Sequence, residues 1–150
     1  MTDNPRIEDL RRRVQKDPAS IAFAQLAEEY RRAGDFAEAV RVCEAGLAQH
    51  PAYLSARVTL GRALFQLDRL EEARTEFLRV LDAAPENLIA VGKLAEIHQR
   101  TYQATHLRAA ADSGQTESRR GQDRRSVDER IVAELEAWLG VIAQRRSRHR

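Results

Sequence analysis

Cysteine is nearly absent from this 150-residue chain, which has only Cys43. A single cysteine excludes an internal disulfide and the multi-cysteine zinc and redox motifs. Tryptophan and methionine also occur once each, and aromatic residues make up only 5%. No apolar run approaches the ~18 residues that would mark a transmembrane helix, and the mean hydropathy is −0.57. The opening MTDNPRIEDLRRR lacks the basic-then-apolar order of a secretory signal. These absences set the expectation of a cytoplasmic chain without a membrane span. The four histidines, His50, His98, His106 and His149, have no metal-ligand spacing with one another or with acids. There is no glycine-rich phosphate loop, serine elbow or H-E-x-x-H motif. Neighbouring acids such as Glu28 and Glu29, or Glu71 and Glu72, point apart on a helix and make no catalytic dyad. The expectation is no catalytic residue, no metal, no cofactor and no small-molecule substrate.

Charge is plentiful but uneven. Charged residues form 32% of the chain, and the formal net charge is +2. Residues 1–99 carry −2, whereas residues 100–150 carry +4 and end in Arg145, Arg146, Arg148 and Arg150. A basic terminus can attract nucleic acid or an acidic surface, although one short run is a weak footprint of such binding.

A 34-residue period organises the rest. Pro51 and Pro85 are one period apart, as are Leu26, Leu60 and Leu94; Ala27, Gly61 and Ala95; Phe36 and Leu70; Ala39 and Ala73; Cys43 and Phe77; and Leu47 and Leu81. Every one of these positions is apolar or small, the signature of stacked structural repeats. Each unit reads as two helices. Residues 18–33 carry Phe23, Leu26, Ala27 and Tyr30 as one apolar stripe, with Asp17 and Pro18 as N-cap and first helical residue. Gly34 can end this helix in a left-handed conformation. Asp35 can then cap a second helix over 36–49, with Ala39, Val40, Cys43 and Leu47 inward. The second unit repeats the pattern over 52–67 and 70–83, and a third opens near 87–100 with Val91, Leu94, Ala95 and His98. Asn4 and Pro5 start a leading helix with Ile7, Leu10 and Val14 on one side.

The period breaks after about residue 101. Residues 112–125 carry no aliphatic side chain, so residues 101–125 read as a flexible linker. Ser126-Val-Asp-Glu129 has the form of a capping box. It introduces an amphipathic helix to about Gln144 with Ile131, Leu135, Trp138, Leu139 and Ile142 on one stripe. The open third unit lacks a second helix, and this C-terminal helix lacks a partner, so the two are expected to pack together. Docking of the helix in the groove is the alternative.

The strings Phe23-x2-Leu26-Ala27-x2-Tyr30, Ala39-x3-Cys43 and Pro51, followed by Leu60-Gly61, Ala73-x3-Phe77 and Pro85, resemble the tetratricopeptide repeat (TPR) family. Arg57 stands where the pattern has an aromatic residue. The resemblance covers roughly residues 18–100: two full units and the first helix of a third. It implies an all-α superhelix of helix pairs, which the C-terminal helix is expected to complete as a second helix or a cap. It also implies a non-catalytic scaffold that holds a peptide or protein partner in its concave groove. Some members clamp a terminal carboxylate with cations. The matching positions here, Ala24, Glu28, Thr59, Ile89 and Lys93, supply one cation and a repelling Glu28, which argues against binding a chaperone tail of that kind.

The face opposite the core stripe follows from the 100° turn per residue. It includes Gln25, Glu28 and Arg32 in unit one, Val58, Thr59, Arg62 and Phe65 in unit two, and Lys93, Glu96 and Arg100 in unit three. These are the candidate partner-binding residues, with Phe65 expected to be an exposed aromatic anchor. The rival reading is a nucleic-acid or ribonucleoprotein accessory factor using the arginine-rich C-terminal third.

Overall fold

A computed structural model of the chain describes residues 4–113 and 120–148, and within these the side chains of 4–111, 129–141 and 143–144. Helix α1, Pro5–Lys16, begins as expected: the Asn4 side chain accepts the Arg6 N–H at 3.0 Å, and Pro5 takes the first position. The next helix, α2, spans Ala22–Arg32. Asp17 and Pro18 do not start it. Asp17 ends α1, and its carboxylate accepts the Ala19 N–H in a local turn, a conformation that Asp side chains stabilise in competition with helix.

Gly34 ends α2 with φ +83°, and the Asp35 carboxylate accepts the Glu38 N–H to cap α3, Phe36–Gln49. One period later, Asp68 holds the same left-handed turn with φ 59°, between α4, Leu54–Gln66, and α5, Leu70–Ala83. Asp tolerates this region better than most residues. Two long helices follow, α6 over Leu88–Ser113 and α7 over Arg120–Arg148.

The chain divides into two compact units, Met1–Ala90 and Val91–Arg150. In the first, α1 packs on α2, α2 on α3, α3 on α4 and α4 on α5, with α2 also touching α4. Each helix therefore buries its stripe against its chain neighbours, as stacked repeats do. Ala27, Ala39, Ala56, Ala63, Ala73 and Phe77 are wholly buried. Cys43 is buried as a free thiol, and burial pushes it up to about 12, so it is protonated and inert near neutrality.

The two units of the repeat solve one packing problem differently. In the first, Phe23 fills the space above Gly46, where a Cβ would meet its ring at 2.0 Å. His50 stacks on that ring with centroids 6.0 Å apart, and Tyr53 tilts against it at 5.8 Å. At the matching place in the second, Arg57 reaches Glu76 at 2.8 Å, with side chains only 16% and 11% exposed. Arg57 also bonds to the Pro51 carbonyl, and Glu76 accepts from Arg79 at 2.6 Å. The charged residue at the aromatic position thus belongs to a largely shielded, multiply bonded ion pair.

Residues 101–113 and 120–125 are helical, parts of α6 and α7. The expected linker over 101–125 is therefore corrected, with 114–119 outside the described residues. The alanines at 104 and 109–111 favour helix, and the side chains of 103–111 are exposed. Ser126 likewise lies inside α7 rather than at its start. In the second unit, His98 Nε2 lies 2.8 Å from Glu134 Oε2, without hydrogen-bond geometry. Leu94 and Ile97 are buried; Ile131, Leu135 and Trp138 are half-buried. Leu139, expected on the packed stripe, is exposed with Val132 and Val141, and the Ile142 side chain lies outside the described residues.

Candidate protein-interaction groove

The inner faces of α2 and α4 enclose a groove of about 490 Å³ in the first unit. Six of the sequence-selected residues line it: Gln25, Glu28 and Arg32 from α2, and Val58, Thr59 and Arg62 from α4. The 34-residue period aligns these two helices side by side, so equivalent faces point into one space. Ala24 and Ile89 also reach the groove. Lys93, Glu96 and Arg100 belong to the second unit. There, Lys93 bonds Glu96 at 2.9 Å, while Glu96 and Arg100 are exposed.

Phe65 is corrected. It is 2% exposed and cannot anchor a partner from the groove face. The cause is the central place of α4, which packs against α2, α3 and α5. Its buried residues Ala56, Thr59, Leu60, Gly61, Ala63, Leu64 and Phe65 occupy most of its circumference. A one-stripe reading suits a helix with neighbours on one side and underestimates the core of a helix with three.

Glu28 organises the charges. Arg31 donates to its carboxylate at 2.9 and 2.7 Å, Arg32 at 3.2 Å and the Thr59 hydroxyl at 3.3 Å. These bonds, Arg31's first among them, outweigh burial and hold Glu28 at about 2, with Arg62 adding its field. Arg31 is correspondingly raised by Glu28. Glu28 is thus fixed as a carboxylate at neutral pH.

Several lining residues were not found from the sequence. Arg6 enters from α1 and pairs with Glu29 at 3.2 Å; nothing in the repeat pattern signals a contribution from the leading helix. Tyr53 and Asn87 come from the turns before α4 and α6. They are one period apart, and that spacing could have found them. Asn87 is fixed by accepting the Ala90 N–H at 3.0 Å.

Residues 30–99 match the tetratricopeptide repeat family. The chain is also similar to the first TPR domain of Spaghetti (RPAP3) bound to the HSP90 peptide SRMEEVD. The TM-score is 0.62 and the identity 31%, covering 63% of this chain and 76% of that one. This chain belongs to the tetratricopeptide repeat family. The first TPR domain of human RPAP3 gives a TM-score of 0.63 at 30% identity, over 67% of this TPR chain and 80% of that domain. Among curated proteins, RNA polymerase II-associated protein 3 of rat is 36% identical over 73 residues, and the human protein 37% over 73 residues. Those matches cover 49% of this chain and 11% of the relatives, so the TPR chain spans about a tenth of their length. None of these matches supports the nucleic-acid alternative.

The TPR fold is a protein-interaction fold. Among the described residues, no group of three His, Cys, Asp or Glu side chains is placed to hold a metal ion. No helix of the described residues is long and apolar enough to cross a membrane.

Proposed function

We propose that this chain is a non-catalytic adaptor whose repeats hold an extended segment of a protein partner in the α2–α4 groove. The observation that carries this is the convergence of Gln25, Glu28, Arg32, Val58, Thr59 and Arg62 on one open groove. Peptide capture in the similar Spaghetti domain supports the same use here. A cytoplasmic setting is part of the proposal, because Cys43 is a free buried thiol, compatible with a reducing compartment.

The HSP90 tail is not the expected ligand. Ala24 and Thr59 are buried at two of the clamp-matching positions, and a third holds the ionised Glu28. A photo-crosslinking residue placed at Val58 tests the adaptor reading, with the exposed Ala45 on α3 as control. Discrete protein adducts from position 58 and none from 45 are expected. Equal adducts from both, or none from 58, would refute groove binding.

A further inference from the structure

The groove's acidic and basic residues differ in what they show to solvent. Glu29 is 12% exposed and Glu28 25%, whereas their partners Arg6 and Arg32 are 67% and 62% exposed. The carboxylates lie beneath and the guanidiniums above. Arg62 adds a third cation from α4, half-exposed, with Glu28 as its nearby opposite charge. The accessible electrostatic surface is therefore an arginine wall, though the formal charges nearly cancel. Its members are oriented in advance: Arg6 is held by Glu29 at 3.2 Å, and Arg32 by Glu28 at 3.2 Å and Glu29 at 3.8 Å. A paired guanidinium keeps free N–H donors on its outer edge, and such forks match carboxylate and phosphate oxygens. Val58 and Ile89 supply apolar surface beside the wall, and Ile89 is 48% exposed.

We propose that Arg6, Arg32 and Arg62 recognise anionic side chains, carboxylate or phosphate, spaced along an internal stretch of a partner peptide that also places an apolar residue against Val58 and Ile89. This rests on the groove-binding reading and gives it a ligand chemistry. A terminal carboxylate is not the determinant, because the groove floor is occupied by the Glu28 carboxylate and its bonds to Arg31 and Thr59. Affinity should fall with salt, since exposed guanidiniums are screened within about 10 Å at 0.1 M.

The test is selection of random twelve-residue peptides by the full chain. One library is displayed so that the peptide has no free C-terminus, and a second so that it has one. The internal library should enrich peptides with acidic residues beside an apolar one. A synthetic, C-terminally amidated winner should lose at least tenfold in affinity with Arg62→Gln or Arg32→Gln, and under twofold with Arg41→Gln on the exposed side of α3. Replacing its acidic residues by phosphoserine or by glutamine separates phosphate from carboxylate recognition: one of the anionic forms should bind and the glutamine form should not. Neutral or basic winners that still require Val58 would overturn the arginine wall while leaving groove binding intact. Enrichment only from free C-termini would overturn it in favour of terminal-carboxylate recognition. No enrichment from either library would count against both readings.

Discussion

Gly46 and Gly92 are both helical glycines, and replacing each by alanine should move stability in opposite directions. Alanine is favoured over glycine in a helix interior by about 1 kcal/mol. At Gly92 a Cβ would meet no atom within 4 Å, so that gain should appear largely intact, at about 0.5–1 kcal/mol. At Gly46 a Cβ would lie 2.0, 2.2 and 2.4 Å from three ring atoms of Phe23. Ordinary contact begins at 3.4 Å, so the ring must retreat by more than an ångström. It has nowhere to go: Phe23 is 1% exposed and sits against His50 and Tyr53, and the His50 ring is itself bonded to the Ala19 carbonyl. Overpacking a tight core costs about 1–3 kcal/mol, and this overlap belongs at the upper end. The expected net loss for Gly46→Ala is about 2 kcal/mol once the helix gain is subtracted. Urea unfolding followed by far-UV circular dichroism reads the Gly46 variant, and the fluorescence of Trp138, the only tryptophan, follows the second unit for Gly92→Ala. In a Phe23→Leu background the added methyl should cost less, giving a measurable coupling energy. Equal stability of Gly46→Ala and the parent chain would refute the packing argument, as would a parallel loss in Gly92→Ala.

Phe65→Ala should cost about 3–5 kcal/mol of folding stability, because Phe65 is core; a thermal melt unchanged from the parent would restore it to the groove. Glu76→Gln should cost about 2–4 kcal/mol by leaving the largely shielded Arg57 without its carboxylate, whereas Arg57→Met with Glu76→Leu should be near neutral; denaturant midpoints of the three chains decide this. Glu28 has a folded-state pKa of about 2 against an ordinary 4.5, so its contribution is complete above pH 4.5 and is lost as pH falls toward 2. After solvent screening that contribution is about 1 kcal/mol. The stability gap between parent and Glu28→Gln should therefore be present at pH 6 and shrink by pH 3; a gap independent of pH would sink the assignment.

Much of the fold was legible because the information was local or strictly periodic. Asn4, Gly34 and Asp35 act within a few residues of themselves, and their helix ends were readable directly. The period alone paired α2 with α4 and so assembled most of the groove. What was hidden depended on neighbours distant in sequence. Arg57 departs from the repeat pattern, and the reason lies in Glu76, which faces it from α5. Val42 and Gly46 stand where Glu76 and Val80 stand one period later, so the aromatic residue and its glycine are exchanged together for an ion pair. Phe65 was misplaced because the number of helices around α4 is a tertiary fact. The segment 101–125 differs for another reason: a lack of large apolar side chains does not by itself exclude helix, and 101–113 and 120–125 continue α6 and α7.

The same periodicity ties stability to binding in the groove. Glu28 and Arg62 are one period apart, so they occupy the same place on adjacent inner helices. Their opposite charges attract, and Arg62 contributes to keeping Glu28 ionised. Thr59, buried on α4, adds a direct bond to Glu28 across the same gap. The groove floor is therefore also a joint between repeats, while the more exposed arginines stand above it. A substitution at Glu28 or Thr59 acts on the joint and should disturb the register of the helices before it disturbs any contact with a partner. A substitution at Arg32 or Arg62 removes a donor from the accessible side and leaves the Arg31–Glu28 pair, at 2.7 Å and largely shielded, to hold the floor. Loss of binding with Arg62→Gln at unchanged folding stability therefore reports recognition, and the same loss with Glu28→Gln reports the scaffold.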